Sequence, residues 1–227
     1  MPDLHDIEAV VFDVLGTLVD EPGGLRTALR EALPSGSVEE LLAVWQRHVG
    51  REQHRIAQGD RPYAATDVID AEAARAVADG AGLTDPAAIA RLATAAHRLP
   101  PWDDSAAGLA RLARRFPVIG LSNASRSALL RLNAHAGLLF HQALSSETVQ
   151  AYKPAPEVYR LAIATAGCPP ERVLMVAAHA WDLRAARATG MRTAYVHRPV
   201  GDPPTTTDTF DGHFNGLDEL ATALTVG

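Results

Sequence analysis

Several polar side chains fall where an α/β chain does its chemistry. Asp13 closes the apolar, β-branched run Ala9-Val10-Val11-Phe12, and Gly16-Thr17 breaks the run after it. In open parallel sheets, ligands bind outside the carboxyl ends of the strands. A carboxylate there can be a nucleophile or a metal ligand, and it can equally be a polar residue that ends a strand. Ser122 and Asn123 follow a second apolar run, Val118–Leu121. Lys153 follows a third and weaker run, Gln142–Leu144, and Asp182 follows a fourth, Val173–Ala177. Parallel strands would bring these groups to one edge of a sheet. A carboxylate, an ammonium group and hydroxyl or amide donors on one edge are the parts of an active site.

The elements between them must do the positioning. Strand-like runs at 9–12, 118–121, 142–144, 173–177 and 193–196 alternate with helical patterns at about 105–115, 125–136, 155–166, 183–189 and 217–224. That alternation predicts a mainly parallel sheet with right-handed crossovers. Pro22-Gly23-Gly24 reads as a hinge. From Leu25 to about His97 the pattern is helical, with no convincing strand. Leu41, Leu42, Trp45 and Val49 recur at helical spacing, with Ser37 as the expected cap. Gly59-Asp60-Arg61-Pro62 breaks that helix, and helices are expected at about 66–80 and 86–98. The block reads as a helical insertion. Gly201–Asp208 reads as a loop, and no internal repeat is present.

The composition narrows the function classes. The 227 residues carry a formal charge of −6, which argues against a general nucleic-acid-binding surface. No apolar run is long enough to span a membrane. Met1-Pro-Asp-Leu-His-Asp6 has no basic segment ahead of an apolar one, so no signal peptide is expected, and the cytoplasm is the default location. Cys168, the single cysteine, has no partner for a disulfide or a CxxC site. Asn123-Ala-Ser125 fits a glycosylation acceptor by chance.

Phe12-Asp-Val-Leu-Gly-Thr-Leu18, Leu121-Ser-Asn123, Tyr152-Lys-Pro154 and Ala180-Trp-Asp182 resemble, in order, the four motifs of the haloacid dehalogenase superfamily. The resemblance covers essentially the whole chain. It implies a Rossmann-like α/β core from residues 1–20 and 98–227, with a helical cap domain, 21–97, inserted. Superfamily phosphatases resemble D-x-D-G-T at the first motif, where the second Asp is a proton donor, and carry an acidic pair for magnesium at the fourth. Here those positions hold Leu15 and Ala178. Magnesium wants several oxygen ligands. The L-2-haloacid dehalogenases instead resemble F-D-x-x-G-T-L with A-W-D at the fourth motif, and both stand here.

The resemblance therefore implies metal-free, cofactor-free hydrolysis of small 2-haloacids, with a phosphatase or a catalytically weakened member as the alternatives. Asp13 would attack carbon and form an ester, which water then cleaves. Lys153 would keep Asp13 ionised, and Thr17 would hydrogen-bond it or hold the loop. Ser122, with backbone amides near Leu15 and Gly16, would bind the substrate carboxylate, and Asn123 would face the halide. Tyr159 would contact substrate or pack as a core aromatic. A homodimer is also implied.

Two departures stand out. Where these dehalogenases resemble S-x-N-A-W-D, this chain has Ala177, His179 and Asp182. Asp182 remains as the expected base or water orienter, and His179 could replace the Asn or take the proton itself. The family also places a halide-binding arginine directly after a cap tryptophan. Here Trp45 is followed by Gln46 and then Arg47, so Arg47, or more weakly Arg51, is the candidate. Trp45, Tyr63 and Trp102 are either pocket walls or core.

Overall fold

The computed structural model describes residues 4, 6–33 and 36–225. Most of the N-terminal stretch read above for a signal sequence lies outside them. Six strands form one parallel sheet in the order β3-β2-β1-β4-β5-β6: β1 Ala9–Asp13, β2 Val118–Ser122, β3 Gln142–Ser145, β4 Val173–Ala177, β5 Arg192–Val196 and β6 Gly212–Phe214. β1 is flanked on both sides and buried throughout, which is why it reads as a continuous apolar run rather than an alternating one. Its side chains alternate between two cores. Val10, Phe12 and Val14 pack on one face, while Val11 packs on the other with Ile119, Leu121 and Met175.

Register sets the site. Asp13 is level with Leu121, and Phe12 is level with Val176. The residues at and just beyond the strand ends, Ser122-Asn123 and Ala178-His179, are therefore brought to the edge where Asp13 stands. The fold class is the expected α/β one. β6 was not expected, because its three residues, between Asp211 and Asn215, carry no apolar run of detectable length.

The first four of the five helices between β1 and β2 pack together: α1 Glu21–Ala32, α2 Val38–Ala57, α3 Thr66–Ala81 and α4 Pro86–Ala93, with a 3₁₀ turn at Ala95–Arg98. Leu25, Leu29, Leu42, Trp45, Val77 and Leu92 give them a core of their own. The hinge reading of Pro22-Gly23-Gly24 is corrected, because these residues are the first turn of α1. The Asp20 side chain accepts from Gly23 N at 2.9 Å, and proline is tolerated in a first turn. Ser37 does precede α2, but its hydroxyl makes no capping bond. The helical unit is tied to the sheet unit by the start of α3. Thr66 Oγ1 accepts from Ser125 N at 2.7 Å, Asp67 accepts from Ser125 and Ser127, and Tyr152 donates to Ala64 O at 2.6 Å.

The remaining helices are α5 Ser105–Leu112, α6 Arg126–Ala136, α7 Pro156–Ala166, α8 Ala180–Ala188 and α9 Leu217–Thr225. Among the described residues no helix is long and apolar enough to cross a membrane.

Candidate active site

Asp13 sits at the end of β1, 6% exposed, at the floor of a pocket of about 300 Å³. Thr17 donates to Asp13 Oδ2 at 2.6 Å, and Lys153 Nζ donates to Oδ1 at 2.9 Å. Thr17 is itself held, since its Oγ1 accepts from Ala178 N at 2.9 Å. Lys153 Nζ also donates to Asp182 Oδ2 at 2.8 Å. The other Asp182 oxygen accepts from Tyr159 OH at 2.5 Å. One ammonium group thus stands between two buried carboxylates. Burial alone would lower the Lys153 pKa, but Asp13 and Asp182 outweigh it and hold the amine above its usual range. Burial pushes the Asp182 carboxyl up, against the lowering pull of Lys153.

The loop after Asp13 is braced from behind. Trp102 Nε1 donates to Gly16 O at 3.2 Å, Ser105 Oγ to Leu18 O at 2.7 Å and Arg198 Nε to Thr17 O at 2.9 Å. Asp104 pairs with the Arg198 guanidinium through both oxygens, at 2.7 and 3.0 Å. Arg198 and Asp104 went unnoticed in the sequence because neither lies in a motif.

The expected residues divide into two groups. Asp13, Leu15, Asn123, Lys153 and His179 line the pocket, joined by Trp181. Asn123 Oδ1 accepts from Lys153 N at 2.8 Å, which turns its NH₂ group outward as a donor. His179 Nε2 lies 3.3 Å from the carbonyl oxygen of Leu15, so Nε2 carries the hydrogen there and Nδ1 is the free acceptor of the neutral ring. Gly16 permits this placement. At φ +81° it is in the left-handed region, and a Cβ there would meet His179 Nε2 at 2.5 Å.

The other group sits beneath the pocket and corrects the sequence reading. Ser122 is fully buried, accepts from Ala124 N at 3.1 Å and lines no part of the pocket. The Gly16 amide is spent on Val19 O. Tyr159 is fully buried against Asp182 and does not reach the cavity. Asp182 has both oxygens engaged and no exposure, so it positions Lys153 rather than facing water.

The helical unit forms the opposite wall, with Glu21 and Leu25 of α1 and Trp45, Gln46, Val49, Gly50 and Gln53 of α2. Gln46, Val49, Gly50 and Gln53 share one helical face. Arg47, about 100° around the helix from Gln46, is exposed and lines no part of this pocket. Arg51 is turned to Glu52 and His48. The arginine expectation is therefore corrected: the residue directly after the tryptophan, Gln46, holds the inward position. Trp45 is a pocket wall, whereas Trp102 braces the loop and Tyr63 packs on Tyr152 at 5.3 Å. Glu21 carries no motif signal in the sequence, standing between the first motif and Pro22-Gly23-Gly24.

Known proteins resemble this chain over most of its length. A family profile described as haloacid dehalogenase-like hydrolase matches residues 7–190. The (S)-2-haloacid dehalogenase H-109 of Pseudomonas putida is 33% identical over 199 residues, 86% of this chain and 88% of that protein. The (S)-2-haloacid dehalogenase of Xanthobacter autotrophicus is 34% identical over 196 residues, 85% of this chain and 76% of the other. A solved L-2-haloacid dehalogenase superposes with a TM-score of 0.88 at 32% identity, covering 97% of this chain and all of that one. The chain is a member of the haloacid dehalogenase-like hydrolase family.

Proposed function

We propose that this enzyme hydrolyses the carbon–halogen bond of small 2-haloalkanoic acids to give 2-hydroxy acids, using water and no metal. The observation that carries the reading is the Asp13–Lys153–Asp182 arrangement below a pocket with Leu15 at its edge. Halide is a stable leaving anion and needs no proton, so an apolar residue suffices where a phosphatase would need an acid. Lys153 Nζ stands 2.9 Å from Asp13 and 2.8 Å from Asp182 and supplies the positive charge between the two carboxylates. Relatives that resemble this chain over most of its length are named for the same activity. Residues 21–97 act as the cap that walls the site.

An Asp13 oxygen attacks the halogen-bearing carbon from the side opposite the halogen. The C–O bond forms as the C–halogen bond breaks, and the halide leaves with the electron pair. Lys153 and Thr17 fix the carboxylate for that approach. Water then adds to the ester carbonyl of Asp13 and passes its proton to His179 Nδ1. The acyl C–O bond breaks, and the alcohol oxygen of the product takes up the proton that His179 received, which returns the imidazole to its starting form. Configuration at carbon inverts, because only the first step breaks a bond there.

The test is halide release from L-2-chloropropionate in the presence of chelator, beside phosphate release from an aryl phosphate with magnesium. Halide release without metal is expected. Phosphate release alone would overturn the reading. A single turnover in H₂¹⁸O with enzyme in excess should leave the product unlabelled and place the label in Asp13.

A further inference from the structure

Glu21 stands apart from the other groups of the pocket. It opens α1, and with Leu25 one turn later it forms the α1 part of the pocket wall. Its backbone N–H donates to Val19 O, but its carboxyl group makes no hydrogen bond or ion pair to any described residue. The charges that face it come from two elements and two loops: Asp13 at the end of β1, Asp70 on α3, Lys153 ahead of α7 and His179 just ahead of α8. Asp20 is its neighbour in sequence. Lys153 is already committed to two carboxylates. The site therefore has a negative excess before Glu21 is counted, and the cap wall offers no arginine to offset it.

An ionised Glu21 would add a further negative charge to a site that must admit an anionic acid and release an anion. Like charges at such range in a partly dry pocket disfavour that form. Burial pushes the Glu21 carboxyl up to about 7, Asp13 adds to the rise, and His179 opposes it. A neutral carboxyl group is a hydrogen-bond donor, and an anion is its best acceptor.

We propose that Glu21 donates its carboxyl hydrogen to an anion seated in the pocket, on the cap side where Gln46 stands in place of a cation. Asn123, with its NH₂ turned outward, is the matching donor on the core side. The inference rests on the reading of the site as one that takes small anionic acids. The anionic atom is either the departing halide or the substrate carboxylate, and the test separates them. Binding of this kind makes the site close to anions as pH rises, because ionisation of Glu21 removes the donor and adds a repelling charge.

The experiment is a titration of the full chain with bromide and, separately, with propionate, from pH 5.5 to 8.5, read by the fluorescence of Trp45 and Trp181 in the pocket wall. Wild-type affinity for one of the two anions is expected to fall about tenfold per pH unit above about pH 7. Both anions meet the repelling charge, so the anion with the steeper fall identifies the atom that Glu21 faces. E21Q keeps a donor and cannot ionise, so its affinity should stay flat. H179Q should keep the fall, which also serves if E21Q does not fold. Flat wild-type binding of both anions, tighter binding by E21Q than by wild type at pH 6, or loss of the fall in H179Q would each overturn the proposal. Halide release from L-2-chloropropionate by the same preparation tests the dehalogenase reading separately.

Discussion

Tyr159 donates its hydroxyl hydrogen to Asp182 Oδ1 at 2.5 Å, beneath the pocket and out of reach of any ligand in it. Asp182 in turn holds Lys153, so the tyrosine acts on the nucleophile through two intermediaries. Tyr159→Phe leaves a buried carboxylate oxygen without its donor, at a cost of about 1–3 kcal/mol. For a chain of this size that is a fall of roughly 3–10 °C in Tm. KM should hold while kcat falls. A raised KM with an unchanged Tm would return Tyr159 to the substrate site.

Why some of this was legible in the sequence and some was not follows from where the information sits. Asp13 ends a strand, and Asn123, Lys153 and His179 lie in the segments that follow strands, so strand order with register brings them to one edge. Strand ends are local features. Which way a buried hydroxyl points is not, and so the sequence suggests a ligand contact for Ser122 and leaves Tyr159 open between ligand contact and core, whereas both are buried beneath the pocket. The cap wall depends on helical phase, where one residue means about 100°. That phase turns Gln46 inward and Arg47 out. Arg198 and Asp104 meet across 94 residues, and no local pattern signals such a pair.

Lys153→Met tests the shared ammonium. The side chain keeps its length and loses its charge, leaving Asp13 and Asp182 with no cation between them. Breaking a buried pair from one side costs about 3–5 kcal/mol. If this falls on the reacting state, turnover drops about 10²- to 10⁴-fold. Lys153→Arg should not rescue it, because a planar fork cannot replace a point charge held between two carboxylates. Ester formation in a single turnover is the step to follow, and near-normal rates in either variant would remove Lys153 from its role.

Stability should decline with pH across the range in which Glu21 and Asp70 titrate. Glu21 is held up to about 7 against an ordinary 4.5, chiefly by burial. Asp70 is also held well above its ordinary value by burial, with Glu21 and Asp67 adding to the rise. A carboxyl group whose folded pKa is raised favours the fold fully below its unfolded pKa, and that contribution is lost as pH rises through the folded value. Groups lowered in the fold, such as Glu52 at about 2 beside Arg51 and Arg61, lose their contribution only at pH below about 4.5. Melting temperatures should therefore fall between pH 5 and 8 in the wild type. They should fall less in E21Q and in Asp70→Asn. Parallel curves for all three would show that neither carboxyl titrates in that window.

Gly16 and His179 should be coupled through one steric contact. Gly16→Ala meets two separate costs: a left-handed φ of +81°, and a methyl carbon placed 2.5 Å from His179 Nε2. The first is about 1–2 kcal/mol and does not depend on the histidine. The second must be relieved by moving the imidazole, which breaks its contact with Leu15 O and displaces Nδ1 from the ester. Gly16→Ala should therefore slow ester breakdown more than ester formation, and the ester of Asp13 should accumulate in a pre-steady-state burst. His179→Ala removes the clash partner, so Gly16→Ala should destabilise that background by the φ cost alone. A double-mutant cycle on Tm then shows a coupling of about 0.5–3 kcal/mol, the range for residues in contact. Additive effects would mean that the imidazole does not rest on Gly16 in solution, and the placement of the base would fall with it.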